Sequence, residues 1–222
     1  RPLTTKDAAE RTVLSNVLQH SNEKFKTSAA FRSYLDDLFG TVLYFDTTKR
    51  GNEHTLLLNV ETVNDQYLAN SNVLQEVLDL IHTVIFSPNL ENDAFVSSIV
   101  EREKEMVLER IHSIFDDKAR YAQYRLMQIL RPNHPASISA NGTIETVKAV
   151  TPQSLKAAYD SMLQNDTVDI YVVGDIDVEE MTEKLRQVLA FDDRELHEKQ
   201  LKTEIDTKPE EYTKEQKEMK QG

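Results

Sequence analysis

The sequence predicts an α+β domain in which helices flank an antiparallel sheet. Two observations carry this. Residues 41–48 and 53–63 are rich in Leu, Val, Thr and aromatics and flank Lys49-Arg50-Gly51-Asn52, the pattern of a β-hairpin. Most of the remaining chain repeats apolar residues at helical spacing, and the order of elements is not a regular strand–helix–strand alternation.

Taken in order, residues 1–3 are expected to be the end of a strand whose beginning lies upstream. Thr4-x-x-Asp7 opens a first helix with Ala9, Val13, Leu14, Val17 and Leu18 on one side. A second helix starts near Thr27 or Ser28, buries Phe31, Leu35 and Leu38, and stops at Gly40. After the hairpin, residues 73–86 form a helix ended by Ser87-Pro88. Residues 118–130 continue helical, 131–142 form a loop marked by Pro132, Pro135 and Gly142, and residues 143–150 make a short helix. Thr151-Pro152 starts another helix as cap and first-turn proline. Residues 167–173, TVDIYVV, are the most strand-like run in the chain, and a last helix ends near Phe191. The domain is placed at 1–191. Residues 192–222 are read as a charged linker or arm towards a missing second half.

The central stretch, residues 92–115, is expected to be one long helix capped by Asn92 or Asp93. Its apolar stripe is Phe95, Ile99, Met106, Val107, Ile111, Ile114 and Phe115. Glu103 and Arg110 lie in line with that stripe and two turns apart, while the remaining charges, Glu101, Arg102, Lys104, Glu105 and Glu109, mostly fall on flanks that can face water. A charge on a core-facing stripe needs a partner or a site.

The chain carries 38 acidic and 26 basic side chains, which argues against binding a nucleic-acid backbone or an anionic membrane surface. It has no cysteine, so disulfides and thiolate metal sites are excluded, and a reducing cytoplasm is the expected setting. No apolar stretch approaches the roughly 20 residues of a membrane span.

Three stretches together resemble the insulinase-type M16 zinc metallopeptidase family. They are residues 25–45 (FKTSAAFRSYLDDLFGTVLYF), 99–111 (IVEREKEMVLERI) and 134–177, which run from a GT turn to a VVGD strand end. The resemblance implies an α/β roll with an antiparallel sheet. It also implies a zinc site, built from HxxEH on the first helix and a glutamate on the later one. Two histidines at i and i+4 share a helical face and bind the metal, the intervening glutamate activates its water, and the downstream glutamate completes the ligands. Counting back from Gly40 puts that signature on Val13, Leu14, Ser15, Asn16 and Val17, with neither histidine nor general base. The two glutamates of the family's later helix match Glu103 and Arg110, so the ligand position holds a cation. The chain is therefore most like the bacterial members that lack HxxEH.

His20-Ser21-Asn22-Glu23-Lys24 is a near miss of the signature, with lysine in place of the second histidine, and is read as an ordinary solvent-facing helix end. The expected function is a catalytically inactive subunit with no catalytic residue, metal ligand or cofactor. It would pair with a homologous subunit carrying HxxEH, or with itself, and help hold extended peptide. Glu103 and Arg110 would either face the chamber that the family's paired units enclose or form structural ion pairs. The alternatives are a zinc peptidase with displaced ligands, His20 and Glu23 among them, and a purely structural assembly domain.

Overall fold

A computed structural model describes residues 1–69, 72–132, 134–191 and Lys214. The expected arm, 192–222, lies outside the described residues apart from Lys214. Helix α1 (Thr5–His20) is the hub. Thr4 caps it by accepting from the Asp7 amide, and Ala8–Ser15, Val17 and Leu18 are all buried, so the helix is enclosed on nearly every side. Helix α2 (Ser28–Asp37) is capped by Thr27, buries Phe31 and Leu35, and gives way to Phe39 and Gly40, both at positive φ.

The hairpin forms as expected. Strands β1 (Val42–Arg50) and β2 (Glu53–Glu61) pair antiparallel with Arg50 opposite Glu53. Gly51 at φ +59° is the first central residue of this two-residue turn, where glycine alone is unstrained. Leu43 and Phe45 lay the inner face of the hairpin on the core, with Leu56, Leu58 and Val60 packed against it.

Helix α3 (Val73–Phe86) ends at Ser87 as predicted. The long central helix does not begin where the apolar stripe suggested. Residues Leu90–Glu91 (β3) and Ala94–Phe95 (β4) pair as a second small hairpin, turned by Asn92 and Asp93 at φ 51° and 59°. Two consecutive left-handed residues are what a tight hairpin turn demands, and Asn and Asp tolerate that conformation best among non-glycines. Phe95 is thus a buried strand residue, and helix α4 spans Ser97–Asp116. Its buried face is Val100, Glu103, Lys104, Val107 and Ile111, while Met106 is 51% exposed, so the stripe is rotated from the predicted one. Lys104, expected in water, is covered and pairs with Glu101 at 3.0 Å.

Helix α5 (Lys118–Leu130) follows, capped by Asp117. The loop after it returns to α1, where Gly142 lies so close that a Cβ there would stand 2.7 Å from the Ala9 Cβ. Helices α6 (Ile144–Lys148) and α7 (Pro152–Asn165) both open with threonine capping boxes, and α8 (Val178–Val188) closes the described fold. Leu155 and Tyr159 of α7 join α1, β1, α3 and α4 in one core.

The predicted strand at 167–173 does not form. Among the described residues, no segment pairs with it. None of the described helices is long and apolar enough to cross a membrane.

Candidate functional site

Two of the four singled-out residues come together. His20, the last residue of α1, places Nδ1 3.0 Å from Glu103 Oε1 on α4, and both side chains are 12% exposed. An ionised carboxylate can only accept, so the imidazole Nδ1–H donates. The helix end is therefore covered, not solvent-facing. Ser21 and Asn22 are also buried, and the chain there is pinned to the end of α3: the Glu23 amide donates to the Ser87 carbonyl at 2.8 Å, and Asn89 Nδ2 to Ser21 Oγ at 3.1 Å. Pinning leaves residues 21–24 off the helix, so Glu23 does not share a helical face with His20 and is exposed. Arg110 is exposed too, and no ion pair joins it to any described residue.

A second buried polar cluster carried no signal in the sequence. Arg11, 3% exposed on the enclosed helix α1, pairs its Nη1 with Asp166 Oδ2 at 2.5 Å. Its Nε donates to His54 Nδ1 at 3.2 Å, and the opposite His54 nitrogen stands 2.9 Å from the Ala140 carbonyl. Since Nδ1 accepts, Nε2 carries the proton and the ring is neutral. Burial pushes the His54 pKa below its ordinary value, against the pull of the Ala140 carbonyl. The cluster ties α1, β2, the 134–142 loop and the end of α7 together. Contacts between residues 43 and 155 positions apart cannot be read from local spacing.

A large opening lies between β2, α3, α8 and residues 167–177, with a volume of about 1490 Å³. Leu56, Leu58, Val60, Val77 and Ile81 line one side and Val168, Ile170 and Val172 the other. Residues 167–173 cross it as an exposed span fixed at both ends. Asp166 holds Arg11 at one end. At the other, Asn64 donates to the Asp175 carbonyl at 2.6 Å and Gln66 to its carboxylate at 2.9 Å.

Comparison with known proteins gives this architecture a family. The sequence is 36% identical over 196 residues to the "Probable inactive metalloprotease YmfF" of Bacillus subtilis (strain 168), covering 88% of this chain and 46% of that protein. The family described as "Peptidase M16 inactive domain" matches residues 149–222. The crystal structure of a conserved protein from Enterococcus faecalis V583 superposes with a TM-score of 0.82 at 30% identity, covering 87% of this chain and 46% of that one. Over most of its length the chain is similar to M16 peptidase-family proteins. A peptidase M16 inactive domain from Pseudomonas fluorescens shares the fold at a TM-score of 0.59 and 17% identity, over 82% of this chain and 40% of its own. The chain thus spans about half the length of the relatives it matches.

In M16 terms the face that would carry HxxEH is packed shut. Val13 and Leu14 are fully buried, Val17 is 2% exposed, and all three join α4's Val100 and Val107 in the core. Ser15 turns its hydroxyl back to the Thr12 carbonyl at 2.8 Å. The residues present do not fit a zinc ion. His20 and Glu103 offer two donors already committed to each other, Glu23 is elsewhere, and Arg110 is a cation. Among the described residues, no three His, Asp or Glu side chains converge.

Proposed function

We propose that this chain is a catalytically silent M16-type subunit that works by pairing with a homologue that carries HxxEH. The observation that carries this reading is the closed face of α1, where Val13, Leu14 and Val17 fill the core at the positions matching the zinc signature. A pocket filled by methyl groups offers no open coordination position for water. The His20–Glu103 pair is structural: it fastens the end of α1 to α4. Of the two aligned charges on α4, Arg110 is the one left to meet a partner or a peptide, since it is exposed.

The contact with extended peptide rests on sheet edges, which offer main-chain hydrogen bonds without demanding one sequence. The outer edge of β1 is partly stoppered. Gln19 Oε1 takes the Phe45 amide at 3.1 Å, and the Asp46 carboxylate takes that of Thr47 at 2.8 Å. Residues 167–173 carry no such stoppers, and their free side is where we place the peptide.

The test mixes the purified chain with an HxxEH-bearing M16 homologue and follows hydrolysis of a quenched fluorescent peptide, with zinc content measured on each protein after dialysis. The chain alone is expected to hold no stoichiometric zinc and cleave nothing, while raising the homologue's rate. Arg110→Glu is expected to reduce that rate at least severalfold while association persists. One tightly held zinc per chain would overturn the reading, and unchanged rates with Arg110→Glu would reduce the role to assembly.

A further inference from the structure

Helix α5 is turned inside out. Its half-buried line, spaced three and four residues apart, is Tyr121, Tyr124, Arg125 and Gln128, the side by which it lies against α4 and the Pro135–Ser137 turn. The line it shows to water is Ala119, Ala122, Gln123, Leu126 and Leu130, with the two leucines 52% and 50% exposed. None of its 13 residues is buried. A surface helix normally turns its polar line outward, so an outward line of alanine and leucine marks a contact face. Its charges are of one sign. Lys118, Arg120 and Arg125, with Arg131 at the C-cap, accompany no acidic residue, in a chain whose acidic side chains outnumber the basic by 38 to 26.

A surface of the opposite kind lies around the start of β1. Phe39 stands at φ 55°, a left-handed conformation that bulky side chains seldom adopt, and it is 61% exposed. Strain of this kind collects at contact sites, where it is kept despite its cost to the fold. Val42 and Tyr44, on the outer face of β1, are 46% and 39% exposed, while Leu43 and Phe45 beside them belong to the core. Carboxylates border these three residues in the sequence and across the hairpin. Asp36 and Asp37 precede Phe39 at the end of α2, Asp46 follows Tyr44 on the same strand face, and Glu61 stands opposite Val42. All four are exposed, and residues 33–48 contain no lysine or arginine.

We propose that α5 of one copy of this chain docks on the Phe39, Val42 and Tyr44 surface of a second copy. The spacing fits. Leu126 and Leu130 are one helical turn apart, about 6 Å, and Val42 and Tyr44, two residues apart on one strand face, are separated by about 7 Å. The signs fit as well. Lys118 and Arg120 flank the apolar line at one end and Arg131 at the other, against the carboxylates at 36, 37, 46 and 61. Two unlike faces meet, so the contact is heterologous and a pair still carries one open face of each kind. Higher concentration therefore lengthens the assembly, and salt weakens it, because the charged groups lie at the solvent margin. This contact joins identical chains and is independent of any pairing with a catalytic homologue.

Sedimentation velocity of the 222-residue chain over a concentration series tests the contact. The native chain is expected to associate reversibly, and at least tenfold less tightly in about 0.5 M salt than in about 0.05 M. Two variants each block one face. The double variant Leu126→Glu, Leu130→Glu is expected to stay monomeric with an unchanged circular dichroism spectrum. Phe39→Gly is expected to stay monomeric with its Tm held or raised, because glycine is at ease in the left-handed region. The deciding sample mixes the two variants. Each supplies the face that the other lacks, so a one-to-one complex forms and nothing larger. A native chain that is monomeric throughout would overturn the proposal. So would association that survives either variant, which places the contact elsewhere on the surface. Variants that stay apart when mixed would overturn it too, because like faces would then be meeting. Protection of the α5 amides gained only on adding an HxxEH-bearing homologue would assign the face to that partner instead.

Discussion

Helix α1 and residues 167–173 both carry a run of apolar side chains, yet one is enclosed on nearly every side and the other is largely bare. The difference lies in the backbone. A helix satisfies its own amides and carbonyls, so α1 could be surrounded by any apolar surface and was, by α2, α4, α7 and β1. A strand satisfies its backbone only through a neighbour, and no neighbouring strand is there among the described residues. Apolar content alone does not produce burial; it needs a geometry that also accounts for the peptide groups.

The comparison can be broken most forcefully at the buried link between the two regions. Arg11→Ala removes the buried guanidinium that pairs with the covered Asp166, and is expected to lower stability by about 3–5 kcal/mol in urea unfolding. Leu14→Ala, on the fully buried face of α1, is expected to cost about 2–5 kcal/mol by loss of contact and cavity formation. Next comes pH. His54 is held neutral in the folded chain with its pKa below the ordinary 6.5, so the unfolded chain binds a proton the folded one refuses. Stability therefore falls as pH drops below 6.5, by no more than about 1.4 kcal/mol per pH unit for one proton. Glu10, whose carboxyl is raised by burial, pulls the other way at lower pH. The difference between the native chain and His54→Gln isolates the histidine, and equal pH slopes in the two would remove it as the cause. Smallest is Val173→Ala, expected within about 0.5 kcal/mol because that side chain is 98% exposed. A cost above about 1 kcal/mol there would mean that residues 167–173 are covered in solution.

Much of the fold was legible because its signals are local. Thr4, Thr27 and Thr151 announced helix starts, Ser87-Pro88 an end, and Lys49-Arg50-Gly51-Asn52 the hairpin, and the structure has all of them. The Asn92-Asp93 turn was also local, but the apolar periodicity running through Phe95 masked it. The strand at 167–173 was read from propensity, which describes how a side chain suits a pleated surface and says nothing about whether a neighbour is present. At the candidate site, sequence singled out Glu103 and His20 separately and for different reasons. Their contact spans 83 positions, and only the packing of α4 on the end of α1 creates it. Arg110 lies two turns beyond and is exposed although its neighbour Ile111 is buried, so it sits at the margin of the covered face.

The two anchors of residues 167–173 have a kinetic side. With Asp166 clamped by Arg11 and Asp175 held by Asn64 and Gln66, the span cannot coil up on itself, whatever its exposure. A tethered, drawn-out template has already lost much of the conformational freedom that ordering a strand normally removes. An extended peptide docking there, as we propose, would meet a backbone that needs little rearrangement, and its rate of capture would depend on the two side-chain clamps at the ends of the span.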